Sequence, residues 1–304
     1  MRQIKKLKQN ALLSVAASIC LAASVLYAAD PAVVTIPSKN LFPESVTSTK
    51  DGTVIIGSWG TNTIWRVPAG TTNAAKWIDV SGTGPLLGVL ADEKSGRLLV
   101  CKAGVKTFDL KTGAAKDVLT IPTANPFCND LAVRNDGSIY VTDTNGAKIF
   151  MFARGKTEAV QVASDPILAG ADGLAFLSDP NKLYVNTVTT NKLLRLDLAR
   201  DGTVTKITEL KLSRALQGPD GMRAIDGKRL IIAEGIGRIA IGVPNGDNVE
   251  ITTIKEGRME GGTPGVTVTK GMAWAIEGKL RQRDANNPDA DKGPFRLFPV
   301  SLPK

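Results

Sequence analysis

The sequence predicts an all-β protein, a six-bladed β-propeller built from four-stranded antiparallel blades. Three observations carry that prediction. One pattern recurs six times along the chain: a polar or apolar leading residue, a short apolar run, a turn and a second apolar run. The copies are almost evenly spaced. Helical periodicity is almost absent beyond the N-terminal segment.

The clearest copy is PFCNDLAVRNDGSIYVTDT, residues 126–144. Its alternating runs LAV and IYV flank NDG, the mark of a β-hairpin with a tight turn. The same plan appears in FPESVTSTKDGTVIIGSWGTNTIWRV (42–67) and LLGVLADEKSGRLLVCKAGVKTFDL (86–110). It returns in GADGLAFLSDPNKLYVNTVTTNKLLRLDL (170–198), QGPDGMRAIDGKRLIIAEGIGRIAIG (217–242) and TPGVTVTKGMAWAIEGKL (263–280). Aligned on the first strand, the leading positions are Glu44, Leu87, Asn129, Asp172, Asp220 and Pro264, separated by 43, 42, 43, 48 and 44 residues. A repeat of about 40–50 residues with three or four short strands is the signature of a propeller blade. A sandwich or a single barrel, the competing folds, does not account for six regular copies.

The last copy supplies two strands, a polar insert RQRDANNPDADKG (281–293), and then PFRLFPVSL (294–302). The apolar stretch AVVTIP (32–37) is predicted to complete this sixth blade. Such closure removes the open sheet edges that invite aggregation. Residues 30–304 are therefore expected to form one propeller domain.

Residues 1–29 read as a signal peptide. Arg2, Lys5, Lys6 and Lys8 precede the uncharged run ALLSVAASICLAASVLYA, and the small residues Ala28-Ala29 stand at its end. An uncleaved anchor is the rival reading, because the run is nearly long enough to span a bilayer. Cys20 follows Ile19 rather than the small residue a lipoprotein site requires, so no lipid anchor is expected. Cleavage leaves a periplasmic or secreted protein with no stable membrane association.

Cleavage also lowers the formal charge from +9 to +5. The remaining basic residues are scattered, without a basic run or interleaved aromatics, so nucleic-acid binding is not indicated. Cys101 and Cys128 remain in the mature chain. An oxidising compartment permits a disulfide between them, and two small buried thiols are the alternative.

In a propeller the first strand of each blade lines the central channel, with its leading residue at the mouth. Glu44, Asn129, Asp172 and Asp220 place oxygen donors at four of the six leading positions. Each alone fits a turn or cap. As a set in register, they suit a hard divalent cation, calcium first, which takes six to eight oxygen ligands. Zinc fits poorly, since the chain has no histidine.

The motifs PES (43–45), CNDLAV (128–133), ADGLAF (171–176) and PDGM (219–222) resemble those of the regucalcin/gluconolactonase family. The resemblance spans about Phe42 to Leu302. It implies a six-bladed, calcium-dependent hydrolase of lactones acting on a small-molecule substrate. It also places metal ligands at Glu44, Asn129, Asp172 and Asp220. The third of these is most often Asn in the family; an Asp there binds the cation more tightly and weakens its Lewis acidity. The family further suggests Asp220 as the general base, with Asp130 as second candidate, although strand alternation points Asp130 away from Asn129.

Other residues bear on the same site. The lack of histidine excludes a Ser-His-Asp triad and the histidine chemistry of paraoxonase-like or streptogramin-lyase-like propellers. Asp143 and Glu234, near the ends of second strands, are either a second layer around the cation or solvated rim charges, and Lys102 shares their position. The acidic insert DANNPDADKG (284–293) lacks the full calcium-loop pattern. Trp59, Trp65, Trp77 and Trp274 are assigned to core packing. A non-enzymatic propeller with a structural calcium is the main alternative function, and a metal-free strictosidine-synthase-like propeller is a third.

Overall fold

Short runs of β-branched and leucine residues, broken by glycine turns, form six small sheets in the computed structural model. The structure describes residues 32–257, 261–284 and 292–303, all within one compact unit, Pro31–Lys304. The expected signal segment (1–29) and the middle of the polar insert (285–291) lie outside the described residues.

The innermost strands are Pro43–Ser48, Val89–Asp92, Cys128–Val133, Ala171–Phe176, Pro219–Ala224 and Gly265–Thr269. Each touches the next, and the last returns to the first, so the sheets form a closed ring. Closure follows the expected route: Val34–Ile36 pairs antiparallel with Phe295–Ser301 as the outer strand of the sixth blade. The fifth blade differs from the expected four strands. A short segment, Lys211–Leu212, adds a fifth strand by pairing parallel to Asn248–Lys255. The extra chain needed to reach that edge accounts for the longer spacing of 48 between Asp172 and Asp220.

The apolar core lies between the blades. Tyr140, Ile149, Leu174, Leu183, Val185 and Leu194 fill one such layer, all fully buried. Burying each large side chain contributes about 1.5–3 kcal/mol. Cys101 and Cys128 form a disulfide that joins the second and third blades, with Cα atoms 5.3 Å apart. Among the described residues, no helix is long and apolar enough to cross a membrane.

A hydrogen-bonded ring ties the leading positions of neighbouring blades together. The Gly88 N–H donates to the Asn129 carbonyl (2.6 Å), and Gly221 N–H to that of Pro264 (2.8 Å). Where a direct bond is missing, a side chain relays it. Asp130 N–H donates to Thr142 Oγ1 (3.0 Å), which donates to the Asp172 carbonyl (2.9 Å). Gly173 N–H donates to Asn186 Oδ1 (3.0 Å), whose amide donates to the Asp220 carbonyl (2.6 Å). The approach is close: a Cβ on Gly88 would lie 2.2 Å from the Asn129 carbonyl oxygen, and one on Gly173 2.5 Å from that of Asp220. Only glycine fits these two positions.

Candidate metal centre

The four predicted donors converge on the channel, and β-bulges aim them there. In blades three, four and five the register slips between Cys128 and Leu131, Ala171 and Leu174, and Pro219 and Met222. Two residues on the inner strand thus oppose one on its partner, which breaks strict alternation and re-aims side chains. A further slip occurs between Pro43 and Ser45, at Glu44. Leu87, whose blade lacks a donor, is buried in the core between the second and third blades.

Bulging also corrects the expected orientation of Asp130. Alternation would turn it away from Asn129, yet it reaches across the channel to Arg223 of blade five. Its carboxylate accepts from Nη1 at 2.5 Å and Nη2 at 3.0 Å. Asp130 lies with Asn129 on the channel because both belong to the bulge.

Glu44, Asn129 and Asp172 are each 4–6% exposed. Asn129 Nδ2 donates to Asp172 Oδ2 (2.8 Å) and to Thr144 Oγ1 (3.0 Å). Asp172 in turn shares a hydrogen bond with Asp220. Asp220 alone keeps part of its surface open, although protein atoms surround it closely enough for burial to dominate its titration. Two acceptors in this cluster, Glu44 Oε2 and Asn129 Oδ1, are buried without a hydrogen-bond partner. Such orphans are costly.

Electrostatics tell the same story. Burial pushes the Asp172 carboxyl up to about 8, helped by the charge of Asp130 and opposed by hydrogen bonds from Asn129 and Asp220. Burial also drives Glu44 well above the carboxylate range, with Asp172 and Asp130 adding to the effect. Asp220 is raised by burial and then by Asp172, Glu44 and Asp130. Among the described residues, no three His, Cys, Asp or Glu side chains form a ready-made metal cage. Of the three raised carboxyls, Asp172 and Asp220 share a hydrogen bond, while Glu44 Oε2 is left without one. A hard dication fits this donor set: it offers a partner to both orphaned oxygens and offsets the repulsion that holds the protons on.

Three other predicted positions have a different job. Asp143 accepts from the backbone N–H of Phe127 (3.1 Å) and Gly146 (3.2 Å). Glu234, fully buried, accepts from Gln217 N–H (2.8 Å) and forms ion pairs with Arg214 and Arg238. Lys102, also buried, donates to Asn62 Oδ1 (2.6 Å) and the Gly84 carbonyl (2.8 Å). Each pins the loop that leads into or out of an inner strand, so they are neither solvated rim charges nor part of the donor cluster. The four tryptophans pack against the interblade cores as expected.

Arg223 was missed by sequence reasoning. The available signal was a lone arginine inside an inner strand, three residues after Asp220. A cavity of about 1000 Å³ opens at the opposite mouth of the channel, lined by Leu131, Leu174, Phe176, Arg223 and Ile225 among others. None of the four donors lines it.

Solved structures share this architecture. A gluconolactonase from Xanthomonas campestris is 17% identical, covers 89% of each chain and superposes with a TM-score of 0.66. A calcium-binding regucalcin from Agrobacterium tumefaciens is 16% identical over 87% of this chain and 92% of that one, with a TM-score of 0.63. An inactive histidine-to-alanine virginiamycin B lyase from Staphylococcus aureus is 14% identical over 88% and 83%, with a TM-score of 0.61. At these identities the likeness speaks for the fold alone. Among curated proteins, no sequence matches this chain. Residues 42–259 match the family described as SMP-30/Gluconolactonase/LRE-like region. By that match over most of its length, the chain belongs to the SMP-30/gluconolactonase/LRE-like family.

Proposed function

We propose that this chain is an exported, calcium-dependent hydrolase of lactones, sugar lactones or related cyclic esters. One observation carries the reading: Glu44, Asn129, Asp172 and Asp220 converge on the channel with two orphaned, buried oxygens among them. Glu44, Asp172 and Asp220 would hold the cation through carboxylate oxygens, and Asn129 through Oδ1. When bound, the cation would polarise the lactone carbonyl and offset the charge developing on its oxygen.

The chain's own residues supply the remainder. Asp220, whose surface is partly open, would be ionised once a dication offsets the neighbouring carboxylates, and would then take a proton from water as the water oxygen adds to the carbonyl carbon. The ring C–O bond then breaks, and that proton passes to the leaving oxygen to give the hydroxy acid. Asn129 is held in place by Thr144 and Asp172, which fixes the direction of its amide oxygen. The charged start of residues 1–29 and the apolar run that follows it, together with the Cys101–Cys128 disulfide, support a periplasmic or secreted location.

The chemistry of the lyase neighbour is a poor match, because its inactive form lacks a histidine and this chain has none. A binding propeller with a structural calcium is the second reading, favoured by the calcium-binding description of the regucalcin neighbour. Proton release in a pH-stat, on a panel of lactones with calcium and then with excess chelator, separates the two. Calcium-dependent acid release that disappears in Asp220→Ala supports the hydrolase. Calcium that raises the melting temperature while no lactone is opened supports the binding protein.

A further inference from the structure

Arg223 leaves the inner strand of blade five and crosses the lumen. Nη1 donates to Asp130 Oδ2 (2.5 Å) and to its own neighbour's carbonyl, Met222 (2.8 Å). Nη2 donates to Asp130 Oδ1 (3.0 Å) and to the Val89 carbonyl (3.1 Å). One guanidinium thus joins blades five, three and two. The pair is almost fully enclosed, with side chains 11% and 4% exposed. Among the described residues, no other Lys or Arg makes an ion pair with Glu44, Asp130, Asp172 or Asp220.

We propose that Arg223 is the resident counter-cation of this site: it closes the channel beneath the four donors and withdraws Asp130 from both the ligand set and the choice of base. A bidentate fork engages both carboxylate oxygens of Asp130, leaving it no free edge for a cation or a water proton. Three carboxylates, Glu44, Asp172 and Asp220, then face the dication, and Asp220 is left as the base. The same side chain stands at the inner limit of the far cavity. Substrate therefore reaches the donors from one mouth only, and the far cavity is a separate compartment.

This inference rests on the metal-centre reading above, and its test separates the two. Calcium titrations are run on the wild type, Asp130→Asn, Arg223→Met, Arg223→Lys and the Asp130→Asn/Arg223→Met double variant, and the metal-stripped proteins are melted. Asp130→Asn leaves an uncompensated guanidinium beside the site, so calcium affinity falls by about tenfold or more. The double variant removes both charges and returns to within about threefold of the wild type. Arg223→Lys keeps the charge without the fork, so it melts lower while holding calcium near the wild-type affinity. A double variant as weak as Asp130→Asn overturns the proposal, because that is the behaviour of a metal ligand. A wild type that binds no calcium refutes the metal centre instead. In that case the melts decide: a double variant less destabilised than the sum of its singles keeps the cross-channel clamp, and additive losses overturn it.

Discussion

Stripping the cation should make the protein less stable as pH rises, the reverse of ordinary acid denaturation. The Asp172 carboxyl titrates near 8 in the folded chain, because burial and the Asp130 charge disfavour its ionised form, against 3.8 when unperturbed. Folding therefore takes up a proton between these values. The folded state binds more protons than the unfolded state, so unfolding free energy falls as pH rises, by no more than about 1.4 kcal/mol per pH unit for one proton. From about pH 5 to about pH 8 the loss is on the order of 4 kcal/mol, or a drop of about 10 °C in melting temperature for a chain of this size. Glu44 and Asp220 are raised too and act with the same sign. The window is unusually clean, since the chain has no histidine and its two core cysteines are bonded to each other. Thermal unfolding of metal-stripped protein across that range reads the slope directly. At the proposed metal centre calcium would bind the ionised carboxylates, so its stabilisation should grow with pH and flatten the slope. Metal-stripped protein whose stability stays level or climbs from about pH 5 to about pH 8 would refute the reasoning.

Three further outcomes follow from the packing. Replacing Cys101 and Cys128 by serine frees a loop spanning 27 residues and should cost about 3.5 kcal/mol in a denaturant titration, with calcium affinity also reduced because Cys128 adjoins Asn129. Gly173→Ala drives a Cβ to 2.5 Å from the Asp220 carbonyl oxygen and 2.6 Å from Met222 N, so a loss of about 3 kcal/mol is expected, whereas Gly235→Ala meets only the Gly218 carbonyl at 3.4 Å and stays within about 0.5 kcal/mol. Glu234→Gln breaks two part-buried ion pairs of a buried carboxylate and should lower stability by about 2 kcal/mol while leaving calcium affinity unchanged, as measured by paired melts and titrations.

The architecture was legible because it is written locally and then repeated. Each copy carries its own hairpin, such as LAV–NDG–IYV, and its own leading residue, so spacing alone counts the blades. The closing strand Val34–Ile36 was visible as an unclaimed apolar run. What stayed hidden depends on contacts between distant residues. A bulge sets two residues against one, and no residue type in CNDLAV announces it; this is why Asp130 was expected to face away from Asn129. Arg223 finds Asp130 at a separation of 93 residues, which only ring closure brings together. Lys211–Leu212 is too short for periodicity to mark. Asp143 and Glu234 share an equivalent place, as expected, but their role as loop anchors emerges only from the backbone N–H groups of Phe127 and Gln217.

The most direct test of the account is a calorimetric calcium titration near neutral pH, repeated in two buffers of different ionisation enthalpy and on Glu44→Gln. Binding of one calcium per chain, with release of protons from the raised carboxyls and at least about tenfold weaker binding in the variant, is the predicted result. Absence of binding, or binding that releases no proton and ignores Glu44→Gln, would contradict the claim that these four residues form a metal centre.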